Sequence, residues 1–205
     1  MNLLETSSSG ALAAKLAWLA LVIGWYVLRI PFERKAKKAR IVTDEKALPE
    51  RIRLGISLTG LGVVPLIYLA TGFPRFADYA FQPVLALLGV LAAIAALVMF
   101  RLTHKALGRN WSVSLQLKDD HKLITGGIYA RIRHPMYTAF WLMAAAQALL
   151  LPNWFAGLAG IAGFGTLYWL RVGHEERLMV GAFGEEYRAY MARTGRLWPR
   201  LGQGG

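Results

Sequence analysis

From Tyr137 to Leu170 this chain carries no charged side chain. That stretch constrains the fold more than any other feature, because it is too long for a single membrane crossing. A hydrocarbon core about 30 Å thick takes roughly 20 residues at about 1.5 Å each. Its clearest interruption is Pro152-Asn153, so the stretch reads as two helices, about 137–151 and 154–171, in a tight hairpin turning at Leu151-Pro152-Asn153. Gly157, Gly160, Gly163 and Gly165 in the second helix predict close packing against a neighbour. Three earlier apolar stretches, about 11–30, 54–72 and 83–100, are also long enough to span. Lys15 and Arg29 sit near the ends of the first, where both can snorkel to the interface. The second contains Gly55, Gly60, Gly62 and Pro65, which weaken a soluble helix but are tolerated in a bilayer. The third has no charge at all. The expected fold class is therefore an all-α integral membrane protein of about five transmembrane helices, forming a single membrane domain over 1–205. A composition of 56% hydrophobic and 18% charged residues agrees, being too apolar for an ordinary soluble domain.

The formal charge is nevertheless +12. The basic residues crowd three segments: Pro31 to Arg53, Arg101 to Arg133, and Arg171 to Arg200. The connection Phe73 to Gln82 has only Arg75, and the turn at Pro152-Asn153 has no basic residue. Long basic segments alternating with short neutral ones follow the positive-inside rule, which predicts an outside N-terminus and a cytoplasmic C-terminus. The N-terminal stretch lacks a basic n-region, so its apolar run is expected to be a retained span. The charge needs no nucleic acid, and none is expected as a partner, since the basic loops lack interleaved aromatic residues. With no cysteine, disulfides and thiolate chemistry are excluded. His104, His121, His134 and His174 lack a recognised ligand spacing, so no metal site is expected.

Polar residues that cluster beside lipid mark function. Two clusters qualify, Lys118 to Tyr137 (KDDHKLITGGIYARIRHPMY) and Arg171 to Glu176 (RVGHEE). Gly126-Gly127 lets backbone approach a ligand closely. Arg131, Arg133 and His134 lead into Pro135, a favourable first-turn residue for the fourth span. A helix start flanked by guanidinium and imidazole suits an anionic group such as a carboxylate. The hairpin returns Arg171, Glu175 and Glu176 to the same membrane face, next to the first cluster. Each residue also has a plainer reading. The arginines serve equally as topology signals, His134 as a helix-start residue, and the glutamates as a solvated face of an amphipathic helix, His174 to Arg193. No G-x-S-x-G, P-loop or H-E-x-x-H pattern is present. Composition and spacing alone stop at a membrane protein with a polar, ligand-binding cytoplasmic face.

The run HKLITGGIYARIRHPMY, then a hairpin, then EERLMVGAFGEEYRAYMARTGRLWP, resembles the isoprenylcysteine carboxyl methyltransferase family. The shared pattern is H-x-L-x-x-x-G-x-Y-x-x-x-R-H-P-x-Y, then E-E, F-G-x-x-Y-x-x-Y and R-x-x-P, over about Asn110 to Arg200. The first two spans match only in being hydrophobic, and the short length resembles prokaryotic members. The resemblance implies a methyltransferase using S-adenosylmethionine, with segments 101–136 and 172–205 forming the cytoplasmic cofactor-binding and catalytic parts. It implies that His121, Leu123, Tyr129, Arg133, His134, Pro135, Tyr137 and Glu176 hold the cofactor, and that Arg171 and Glu175 face the methyl-accepting carboxylate. The implied acceptor is a lipophilic or prenylated molecule of the isoprenylcysteine type, entering from the bilayer. Phospholipid N-methyltransferases and small-thiol methyltransferases share the superfamily. A sterol-type reductase using NADPH is a looser likeness and needs room for a 2′-phosphate. A non-enzymatic scaffold would not concentrate polar positions at one membrane face.

Overall fold

A computed structural model describes residues 3–36, 47–107 and 123–200. The helices are α1 (Leu3–Ala36), α2 (Ala47–Leu58), α3 (Val64–Thr71), α4 (Pro83–Leu107), α5 (Pro135–Leu150) and α6 (Trp154–Arg193), with no named strand among the described residues. Single 3-10 turns lie at Arg75–Ala77 and Gly127–Ala130. Among the described residues four stretches are long and apolar enough to cross a membrane: Ser8–Arg34, Pro49–Thr71, Pro83–Leu107 and Trp154–Arg193. The protein is an all-α integral membrane protein, as the hydropathy pattern predicts.

The remaining expected span, α5, has 16 residues. At about 1.5 Å each these reach roughly 24 Å, short of a hydrocarbon core of about 30 Å. It still traverses the bundle, because its far end meets the connection between α3 and α4. Tyr79 donates its backbone N–H to Pro152 O at 3.1 Å. Asn153 donates Nδ2–H to Pro74 O and Asp78 Oδ1, both at 2.8 Å. Its Oδ1 caps α6 by accepting from Ala156 N at 2.8 Å. A helix this short is accommodated because neighbours cover it: Ala139, Ala144, Ala146 and Gln147 have no exposed surface.

The helices pack laterally in the order α1, α4, α5, α6, α2. In α4 both long faces are apolar, and size distinguishes them. Gly89, Ala93, Ala96 and Phe100 face inward, whereas Leu87, Leu91, Ile94 and Val98 are about half exposed. Against lipid, apolarity gives no direction, and close approach of backbones through small residues does. The core cluster gathers Trp18 and Leu21 of α1, Tyr68 of α3, Ala93 and Ala96 of α4, and Met143, Ala146 and Leu150 of α5.

Between α2 and α3 the helix widens into a π turn at Thr59–Val63, with Val64 N bonding to Thr59 O. Pro65, at the start of α3, has no N–H to give to Leu61 O, and a bulge absorbs the loss. The carbonyl of Gly60 is taken up by Gln147 Nε2 at 3.0 Å. Gln147 also donates to Ala156 O at 2.8 Å and accepts from Trp18 Nε1 at 3.4 Å. One buried amide thus ties α1, the π turn, α5 and α6 together inside the bundle. The same crossing brings Gly60 onto Gly163 so closely that a Cβ on Gly60 would lie 2.2 Å from Ala159 O. This is the close approach that the α6 glycines predict. It also fixes α2 against α6 one end above, where the polar residues lie.

The amphipathic segment expected over His174–Arg193 is the direct continuation of the last span. Nothing breaks the helix after Arg171 until Gly184, whose φ of 55° and ψ of −127° turn the final segment.

Candidate active site

Three pieces of chain meet at the end of the bundle formed by the start of α5. The segment Tyr129–His134 enters α5, and Pro135 sets its first turn, buried. The middle of α6 presents Arg171, Glu175 and Glu176. The chain beyond α6 then folds back and pairs with the first piece in a short parallel bridge, Ile132 with Gly195. Gly195 N donates to Arg131 O at 3.1 Å, Arg133 N to Gly195 O at 2.9 Å, and His134 N to Arg196 O at 3.0 Å. Thr138 Oγ1 closes the register on Leu197 O at 2.8 Å. Backbone N–H groups that a loop beside a membrane must satisfy are used here to seat the tail.

Glu176 is the hub. Its carboxylate accepts from Arg133 Nε at 2.8 Å, His134 Nε2 at 3.1 Å, and Arg196 Nε and Nη2 at 3.1 and 2.5 Å. Because Glu176 is acceptor-only, the network assigns the His134 proton to Nε2. Arg133 also gives Nη1–H to Thr194 O at 2.6 Å. The carboxylate beside Arg196 raises that guanidinium further above its ordinary value. Tyr190 donates to Tyr129 O at 2.6 Å. Burial, aided by the negative charge of Glu175, pushes the Tyr129 hydroxyl well above its ordinary value and keeps it neutral.

A second constellation lies beside this hub. Tyr137 donates its hydroxyl to Glu175 Oε2 at 2.5 Å. Arg171 Nε is 3.9 Å from the same carboxylate, and its Nη1 is 2.9 Å from Glu50 Oε1 on α2. Arg171 is nearly buried. The Tyr137 ring stacks on His134 at 5.4 Å and meets Tyr168 edge-on at 5.4 Å. Aromatic faces next to a carboxylate favour a cationic ligand, while a guanidinium in a dry site favours a carboxylate. The two preferences lie side by side.

Of the residues singled out from sequence, Tyr129, Arg133, His134, Pro135, Tyr137, Arg171, Glu175 and Glu176 come together at this end. Leu123 is partly buried in the non-helical approach to it. His121 lies outside the described residues. Sequence reasoning missed Arg196, although its R-x-x-P motif was visible, and Glu50, whose signal was a lone acid between Pro49 and the basic pair Arg51 and Arg53. It named Arg133 and His134 as cofactor-binding residues but not their pairing with Glu176. Among the described residues no group of His, Asp or Glu could hold a metal ion.

The fold and the site together define an all-α membrane protein with a buried carboxylate–arginine–aromatic cluster at one end of its bundle. Comparison with known proteins narrows the class. Residues 85–181, which carry most of α4, all of α5 and the site residues of α6, match the family model of the isoprenylcysteine carboxyl methyltransferase (ICMT) family. A probable protein-S-isoprenylcysteine O-methyltransferase of Oryza sativa subsp. indica is 29% identical over 124 residues, covering 60% of this chain and 63% of that protein. The protein-S-isoprenylcysteine O-methyltransferase of Schizosaccharomyces pombe is 35% identical over 82 residues, 40% of this chain and 35% of its own length. That of Homo sapiens is 31% identical over 85 residues, 42% and 30% respectively. The chain therefore spans less than two thirds of the curated relatives it matches. Glu50 and Arg196 lie outside the family-matched residues.

Proposed function

We propose that this protein is a membrane-embedded methyltransferase that moves the methyl group of S-adenosylmethionine to the carboxylate of a lipophilic acceptor of the isoprenylcysteine type. The observation that carries the reading is Arg171, buried in contact range of Glu175 and Tyr137, inside the family-matched segment and on the same helix as the Glu176 hub. The residues present fit the cofactor: the ring faces of Tyr137 and Tyr168 and the Glu175 carboxylate suit a sulfonium cation. Tyr129, His134 and Pro135 shape the wall beside them, and Leu123 and His121 precede it in the chain. S-adenosylmethionine supplies, when bound, a methyl carbon on a positively charged sulfur.

Arg171 can grip one oxygen of an acceptor carboxylate and direct the other at that carbon. A new C–O bond forms as the C–S bond breaks, giving a methyl ester and S-adenosylhomocysteine with no proton transferred. The protein therefore needs no general base, and alignment in a water-poor site supplies most of the rate. An amine acceptor would require a base to take its proton. The hydroxyl–carboxylate pair of Tyr137 and Glu175 serves here to fix the ring and the charge.

A groove of about 500 Å³ between α5 and α6, lined by Trp141, Ile161, Gly165, Thr166, Trp169 and Leu170, supports entry of the acceptor from lipid. Trp141 is one helical turn from Tyr137, and Leu170 adjoins Arg171, so the groove leads toward the site. The distribution of basic residues supports an outside N-terminus with the site at the cytoplasmic face. Calorimetric titration of the detergent-purified protein with S-adenosylhomocysteine, and separately with NADPH, tests the reading. Saturable binding of the first, lost in His134→Ala, supports it. Binding of NADPH alone, or of neither, would overturn it.

A further inference from the structure

Of the two carboxylates paired with Arg171, the nearer is not its helical neighbour Glu175 at 3.9 Å but Glu50 at 2.9 Å, more than a hundred residues away on α2. The Glu50 side chain is 13% exposed and that of Arg171 11%. Glu50 stands in the first turn of α2, where a helix N-terminus favours a carboxylate. Its two oxygens are divided, Oε1 to Arg171 and Oε2 to Arg53 Nη1 at 3.8 Å. Glu175, by contrast, is drawn to the Tyr137 hydroxyl at 2.5 Å. The four charges Arg53, Glu50, Arg171 and Glu175 sum to zero, so Arg171 stays charged without surplus positive charge around it. Behind Glu50, α2 cannot drift, because Gly163 is locked against Gly60 and a Cβ on it would meet Ile56 O at 2.8 Å.

We propose that Glu50 is a positioning residue for the methyl transfer: its ion pair holds the Arg171 guanidinium from α2 and so sets how that group meets the acceptor carboxylate. This rests on the methyltransferase reading above. Glu175 on its own helix and Tyr137 at the start of α5 are further partners of Arg171, and Glu50 adds a hold from a third helix before the acceptor arrives. A misplacement of about 1 Å costs on the order of 100-fold in rate.

The test uses the full-length protein in detergent, S-adenosylmethionine and N-acetyl-S-farnesylcysteine as acceptor. Glu50→Gln should lower kcat by roughly 10- to 100-fold while S-adenosylhomocysteine affinity changes less than about 2-fold, and Glu50→Asp should recover part of the loss. In an Arg171→Lys background the same Glu50→Gln change should have no further effect, because there is no longer a fork to aim. Unchanged kcat in Glu50→Gln overturns the inference. So does a loss that is fully additive with Arg171→Lys, or a loss of cofactor binding in both Glu50 variants, which is what a merely structural ion pair would give. Failure of the unaltered protein to bind S-adenosylhomocysteine or to methylate would instead refute the underlying reading.

Discussion

Replacing Glu176 with alanine should be the most destabilising single change at the site. The carboxylate is 6% exposed and receives N–H groups from Arg133, His134 and Arg196. Of these donors Arg133 and His134 are themselves buried, with side chains 9% and 6% exposed, while Arg196 is 42% exposed. Glu176→Ala leaves the two buried donors facing a cavity. Stranding a buried charge typically costs about 3–5 kcal/mol. Arg196→Ala removes a partner that water can replace, and an exposed pair is worth about 0–1 kcal/mol. In soluble domains of this length each kcal/mol moves Tm by about 2–4 °C, so the first variant should melt roughly 6–20 °C lower and the second less than about 4 °C lower. The assay is thermal unfolding of both proteins in the same detergent, followed by intrinsic fluorescence. Equal shifts for the two, or a Glu176→Ala protein within about 2 °C of the parent, would refute the assignment of Glu176 as the hub.

Gly60→Ala should lower Tm and methyl transfer together, since its Cβ would strike the Ala159 carbonyl, and overpacking of this kind costs about 1–3 kcal/mol; Gly181→Ala, with nothing within 4 Å, should be neutral or slightly stabilising in the same melt. Gln147→Leu should destabilise by about 1–2 kcal/mol, because the Gly60 and Ala156 carbonyls and the Trp18 N–H lose their partner within the bundle; an unchanged melting curve would argue against that network. Tyr137→Phe keeps the ring stacked on His134 but releases its hold on Glu175, so S-adenosylhomocysteine affinity measured by calorimetry should hold within about 3-fold while loss of positioning lowers kcat on the order of 10-fold.

Much of this was legible because membrane helices announce themselves by length and apolarity. The uncharged stretch Tyr137–Leu170 gave the hairpin, and the glycines of α6 signalled a close neighbour without saying that it would be Gly60 and Ile56. The inward face of α4 was not legible, since hydropathy does not distinguish Ala93 from Ile94. Nor was the short reach of α5, which depends on Asn153 and Gln147 finding partners far away in sequence. At the site, the polar clusters around Arg133 and Glu176 were readable as neighbours from the hairpin alone. Their pairing was not, because a lone arginine at a membrane face looks the same whether it turns to a headgroup or to a buried carboxylate. Glu50 sat in a basic segment that reads as topology, and only the crossing of α2 over α6 at Gly60 and Gly163 reveals what it faces. Gly184 carries no sequence signal that sets it apart from Gly181; its positive φ of 55° makes it the turn in the last segment of α6.

The chemical fate of the methyl group tests the central claim most directly. Incubation with S-adenosylmethionine carrying a tritiated methyl group and N-acetyl-S-farnesylcysteine, followed by mild base, should release the label as volatile methanol, as a methyl ester must. Label that stays with the acceptor after base would place the methyl on nitrogen or sulfur, and no transfer at all would contradict the account.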